Sequence, residues 1–180
     1  RLLNALAPSY YVGTLTGTIS INGKPLTQMA QYTVARQIGS VFQDPKSQFF
    51  SSELAGETAF ACENYGFSAE EIRDRTDDAI VSFDLNGLRS RNLDVLSSGE
   101  KQRVAIASVY ALRPDIYVCD EPTSNLDKTG SEQLAAVFKQ LKAEGHTIII
   151  AEHRLSWLHG IADRFIYVRD GRVLWERNAA

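Results

Sequence analysis

Apolar and polar positions along this 180-residue chain change period several times, and each change marks an element. Ile116-Tyr117-Val118-Cys119 is a four-residue apolar run of the kind buried in a parallel sheet, and Thr147 to Ala151 is a second. Ile38 to Phe42 predicts a shorter strand, halted by Gln43-Asp44-Pro45. Thr18 to Ile21 alternates like a half-buried strand before the tight-turn pair Asn22-Gly23. Phe165–Val168, the turn Asp170-Gly171 and Val173–Glu176 predict a terminal hairpin.

Helical spacing fills the intervals. Leu2, Leu3 and Leu6 predict a short opening helix ended by Pro8. From about residue 52 to 91 the pattern is mostly helical, with Ser68 as a cap and Glu71 at the capping-box position. Ser97 or Ser98 caps a helix from Gly99 to about Leu112, before Arg113-Pro114. Another runs from about Ser131 to Glu144 and stops at Gly145, and Ile161-Ala162 closes a short one. Strands alternating with helices predict an α/β fold with a parallel sheet and a helical insertion over about 52–112.

Composition adds limits. A chain of this length suits one domain with a real core. Nineteen basic against twenty-two acidic residues give a formal charge of -3, so no general attraction to nucleic acid is expected. Cys62 and Cys119 lie far apart without CxxC spacing, which predicts two reduced, packed thiols in a cytosolic protein. No apolar stretch approaches the length of a membrane span.

The candidate chemistry gathers between Leu96 and Asp127. Asp120 and Glu121 follow the strand at 116–119, and ligands of parallel α/β sheets collect at the carboxyl ends of strands. A carboxylate there can hold Mg²⁺ and its neighbour can polarise a water, although a lone Asp-Glu pair is more often a solvated strand cap. Leu96-Ser97-Ser98-Gly99-Glu100 is a Ser/Gly turn feeding a helix, able to present backbone N–H groups to an anion or simply to cap. Gln43 after one strand and His153 after another carry little weight alone; a lone strand-end histidine is more often structural.

Read in order, these pieces resemble the core of ATP-binding-cassette (ABC) ATPases. Ile116–Glu121 with Pro122-Thr123-Ser124-Asn125-Leu126-Asp127 is similar to their Walker B and D-loop segments. Leu96 to Glu100, continued by Lys101-Gln102-Arg103, resembles the signature motif LSGGQ, with Ser98 replacing a glycine and Glu100 the glutamine. Gln43 matches the Q-loop and His153 the switch histidine. The resemblance implies a RecA-like P-loop NTPase core with a helical subdomain, and ATP and Mg²⁺ as ligands. It implies Asp120 and Gln43 toward Mg²⁺, Glu121 as general base, and Gln43 and His153 in catalysis. Ser97, Ser98, Gly99, Glu100 and Asp127 would face nucleotide across a dimer of cassettes.

The motif G-x-x-x-x-G-K-[ST], which cradles the β- and γ-phosphates, does not occur; the one Gly-Lys pair, Gly23-Lys24, precedes Pro25. Because family members place that loop directly before a helix, Arg1–Leu6 reads as the later turns of that helix. The expectation is a partial cassette, incomplete at its N-terminus and inactive alone. Val41–Phe50 and Glu57–Gly66 resemble energy-coupling-factor importers of vitamins or transition metals. Phe49 and Phe50 read equally as core residues or as contacts for a membrane subunit. The implied partners are a second ATPase cassette and integral membrane transport subunits at the cytoplasmic face of the membrane. An exporter cassette, a soluble ABC ATPase of chromosome maintenance and a non-hydrolysing regulatory module are the competing readings. The short span from Asp44 to Leu96 leaves no room for the coiled coil of the soluble class, and Glu121 with His153 argues against the regulatory one.

Overall fold

The computed structural model describes residues 2–7 and 10–179. Three parallel strands organise it: β3 (Ile38–Val41), β4 (Ile116–Asp120) and β5 (Thr147–Ala151), with β4 in the middle. Val41 lies opposite Cys119, and Asp120 opposite Ala151, so the three strands end at one edge. The chain then leaves β3 toward Gln43, β4 toward Glu121 and β5 toward His153. Before the sheet come a small hairpin, β1 (Ser20–Ile21) and β2 (Lys24–Pro25), and helix α1 (Gln31–Gln37). Asn22 and Gly23 turn the hairpin at φ 50° and 78°, as a two-residue turn requires. The sequence pattern did not reveal α1, whose single buried residue, Val34, leaves no apolar stripe to read.

Between β3 and β4 lie three helices, α2 (Leu54–Asn64), α3 (Ala69–Ser82) and α4 (Ser98–Ala111). Ser68 and Glu71 close the expected capping box on α3. Helix α4 is buried on most of its surface because its neighbours α2, α3 and β3 surround it. Val104, Ala105, Ile106 and Ala107 are fully buried there, with Leu54, Ile80, Leu85 and Tyr117 packed into the same core. Gly39 permits the close fit: a Cβ on it would lie 2.2 Å from Val109 Cγ1 and 2.8 Å from Pro114 Cγ. Both thiols are free and buried, as expected, and burial pushes each of them up from its ordinary pKa.

After β4, helix α5 (Lys128–Ala143) begins three residues before the expected Ser131 because Asp127 caps it, its Oδ1 accepting from Gly130 N at 2.7 Å. It ends at Gly145 with φ 90°. The antiparallel pair β6 (Arg164–Arg169) and β7 (Arg172–Asn178) forms the expected hairpin.

Three expectations fail. Leu2–Ala5 and Ala7 make turns instead of a helix, with Ala5 at φ 54°; so few residues cannot offset the cost of helix nucleation. Pro8, expected to end that helix, lies outside the described residues, as does Arg1. Strand β5 is half-buried on one face and open on the other: Ile148 and Ile150 pack on the core while Thr147, Ile149 and Ala151 are exposed. The short helix near Ile161 is a single 3₁₀ turn at Ser156–Leu158. Among the described residues no helix is long and apolar enough to cross a membrane.

Candidate functional site

Three side chains that the sequence separates by up to 110 positions meet at the strand ends. Gln43 Nε2 donates to Glu121 Oε2 at 2.9 Å, and His153 Nε2 lies 2.9 Å from Glu121 Oε1, within reach of an N–H···O bond. The backbone explains the aim of Glu121. Its residue leaves β4 at φ 43°, a left-handed conformation rare outside glycine, while its N–H still bonds the Ala151 carbonyl at 2.8 Å. That bond fixes the turn, and the turn points the carboxylate across the edge toward Gln43 and His153. Glu121 is 27% exposed at its side chain and His153 86%, so the cluster opens to solvent. Asp120, the last residue of β4, is exposed beside it.

This donor set suits a hard divalent cation. Mg²⁺ takes carboxylate and amide oxygens, and it commonly holds only one or two protein ligands while phosphates and waters fill the rest. Asp120 supplies a carboxylate, and Gln43 keeps its amide oxygen while its nitrogen serves Glu121. No cluster of three or more His, Cys, Asp or Glu able to hold a metal ion occurs among the described residues.

The second group sits at the start of α4. Ser97 is the cap, and with Glu100 it makes a full capping box: Ser97 N and Oγ each donate to Glu100 Oε2 at 2.7 Å, and Glu100 N donates back to Ser97 Oγ at 3.3 Å. The bonds from the Ser97 hydroxyl and backbone hold the Glu100 carboxyl below its ordinary range. Glu100 therefore already serves the helix, whatever it also contacts. Ser98 and Gly99 open the first turn, and a Cβ on Gly99 would come only to 3.8 Å from Leu126 Cδ2. Lys101, buried in α4, donates its ammonium to the carbonyls of Asp94 and Leu96 and fastens the approach to the turn. Asp127 lies next along the chain from Leu126, committed to capping α5. Among the described residues no hydrogen bond or ion pair joins the Ser97–Glu100 group to Gln43, Glu121 or His153.

Several residues around both groups escaped the sequence pattern. Glu152 accepts from Thr123 Oγ1 and, on its other oxygen, from the N–H groups of His153 (2.9 Å) and Arg154 (3.1 Å). Burial alone would raise its pKa; these hydrogen bonds outweigh it and leave the carboxyl below its ordinary range. Glu57, buried on α2, accepts from Phe50 N and Ser51 N at 2.8 Å each, pinning the segment after Gln43. No periodicity marks either acid; only a charge beside an apolar run hints at them. Phe49 packs against the main core, whereas Phe50 is 75% exposed and stacks on Phe60 at 4.7 Å.

Comparison with known proteins places the chain in a family. Residues 1–124 match the family model described as ABC transporter. A Treponema denticola protein assigned as an ABC transporter ATP-binding protein is 40% identical over 96% of the chain, which spans about a third, 35%, of that protein's length. The energy-coupling factor transporter ATP-binding protein EcfA of Carboxydothermus hydrogenoformans is 38% identical over 89% of the chain and 59% of its own length. Among solved structures, CbiO1 of Clostridium perfringens, part of the ABC transporter complex CbiONQ, superposes with a TM-score of 0.83. It is 32% identical over 91% of this chain and 66% of that one.

Proposed function

Because the chain belongs to the ABC transporter family of ATP-binding proteins, with its P-loop NTPase fold, we propose that it is part of an ATP-hydrolysing cassette powering an importer of the energy-coupling-factor type. The observation that carries the reading is the meeting of Gln43, Glu121 and His153 at the carboxyl edge of β3, β4 and β5.

In this reading Glu121 is the general base. Its Oε2 accepts from Gln43 and its Oε1 faces His153, and each carboxylate oxygen keeps a second lone pair for a water proton. Phosphoryl transfer asks the protein mainly for position and charge stabilisation, so a carboxylate held from both sides is suited to orient the attacking water. The imidazole of His153, highly exposed, is free to turn its N–H from Glu121 to a γ-phosphate oxygen. Asp120 and the Gln43 amide oxygen would hold Mg²⁺, which when bound neutralises phosphate charge.

Ser97, Ser98 and Gly99 would meet the nucleotide of a second cassette. Support comes from their position: the exposed N-terminal turn of α4 presents N–H groups suited to an anion, away from any bond to the Glu121 cluster. Asp127 and Glu100 would flank that contact, and residues 52–112 would form the helical subdomain. Membrane transport subunits would take up the closing motion, with the exposed Phe50 ring beside Phe60 as one point of contact. The importer assignment draws on the EcfA and CbiO1 relatives; vitamins or transition metals as cargo, and the cytoplasmic face of the membrane as location, are proposed from the resemblance of Val41–Phe50 and Glu57–Gly66 to energy-coupling-factor importers.

Expression of the full-length protein with its neighbouring membrane components tests this. Mg²⁺-dependent ATP hydrolysis and co-purification with a small membrane-embedded substrate-binding subunit are the expected results. Association with a transmembrane exporter domain instead would overturn the importer reading.

A further inference from the structure

The loop that carries His153 is held by residues with no part in the proposed chemistry. One oxygen of Glu152 takes both backbone N–H groups that follow it, those of His153 and Arg154. Its other oxygen takes the Thr123 hydroxyl, from the turn just beyond Glu121. Arg154 continues the connection: its Nη1 and Nη2 both donate to the Leu126 carbonyl at 3.3 Å. Thr123 is fully buried, so one end of the clamp is anchored in the core while His153 itself is exposed.

A highly exposed imidazole has little packing to hold it, yet it lies 2.9 Å from Glu121 Oε1. Apart from that contact, its position comes from its backbone. That backbone is gripped on both sides of the turn, by Glu152 through two N–H groups and by Arg154 through the Leu126 carbonyl. Thr123 and Leu126 both belong to the segment that leaves Glu121, so the clamp ties the base and the histidine into one unit. A bare strand end offers no such tie, and Glu152→Ala would leave the buried Thr123 hydroxyl without its acceptor and give the two exposed N–H groups to water.

We propose that Glu152 is a positioning residue: by bridging Thr123 to the His153–Arg154 backbone, it keeps the His153 imidazole in register with Glu121. The inference rests on the ATPase reading for its effect on turnover, but not for its effect on the position of His153. Glu152→Gln keeps a carbonyl oxygen for the two N–H groups and an amide that can donate to Thr123, so it should preserve much of the clamp.

Two measurements on the full-length protein test it. In the ¹⁵N-histidine NMR spectrum, the His153 Nε2 resonance, assigned by its loss in His153→Gln, should move toward that of a free imidazole in Glu152→Ala and much less in Glu152→Gln. In steady-state hydrolysis Glu152→Ala should lower kcat by about 10- to 100-fold with KM for ATP within about twofold, and Glu152→Gln should recover most of the rate. In a His153→Ala background the same Glu152→Ala change should cost no further kcat, because its effect passes through the imidazole. An unmoved His153 resonance overturns the proposal, as does an equal loss of kcat with His153 already removed. If the full-length protein showed no Mg²⁺-dependent hydrolysis, the ATPase reading would fail, while the NMR result would still judge the clamp.

Discussion

Asp120 and Glu121 are chemically almost the same and one position apart, yet the backbone gives them different tasks. Asp120 ends β4 in extended conformation and stays at the edge; Glu121, at φ 43°, swings between Gln43 and His153. A left-handed glutamate costs on the order of 1 kcal/mol or more, and such strain concentrates at functional positions. Two further acids, Glu152 and Glu100, are held toward their ionised form. Hydrogen bonds depress Glu152 despite its burial, and depress Glu100, from an ordinary value of 4.5. A carboxyl whose folded-state pKa is depressed stabilises the fold above its unfolded value, and that contribution is lost as pH falls through the folded value. Stability of the native chain should therefore decline below about pH 4.5, and Glu152→Gln should flatten that acid decline. Urea midpoints followed from neutral into acid pH give the check; an acid limb unchanged by the substitution would contradict it.

At the scale of elements, α4 carries the load. Its N-terminal turn offers the candidate anion contact and its body fills the core, so a change at either end has a separable cost. Ser97→Ala removes the cap and should lower stability by about 1 kcal/mol in chemical denaturation. Gly39→Ala pushes a methyl into Val109 and Pro114, where β3 meets α4, and should cost about 1–3 kcal/mol through overpacking. A native-like midpoint for Gly39→Ala would mean that this contact is loose. The strands β3, β4 and β5, the α3 and α4 caps and both hairpins were legible in the sequence because local rules decide them: apolar runs, Ser-x-x-Glu spacing, Asn-Gly and Asp-Gly turns. Helix α1 was not, since one buried valine makes no pattern, and Leu2, Leu3 and Leu6 shared helical spacing without enough length to form a helix. The site was legible as motifs in order. Its scaffold was not: the bonds of Glu152 and Glu57 join residues whose pairing only the folded chain reveals.

At the scale of the whole molecule, the two candidate groups point to different partners. The Glu121 cluster is built within the chain, whereas the Ser97–Gly99 turn, among the described residues, makes its side-chain bonds within its own helix and leaves Ser97 and Ser98 exposed. On this account the 180 residues supply the base and one face of a nucleotide sandwich, without a G-x-x-x-x-G-K-[ST] cradle among them. These 180 residues alone, purified and assayed with Mg²⁺ and ATP, should release phosphate no faster than background; robust hydrolysis would show that the cradle is dispensable. If Glu121 activates water, Glu121→Gln in the full-length protein should cut steady-state phosphate release by about 10²–10⁴-fold while ATP still binds at equilibrium; hydrolysis continuing at the unsubstituted rate would show that another group is the base.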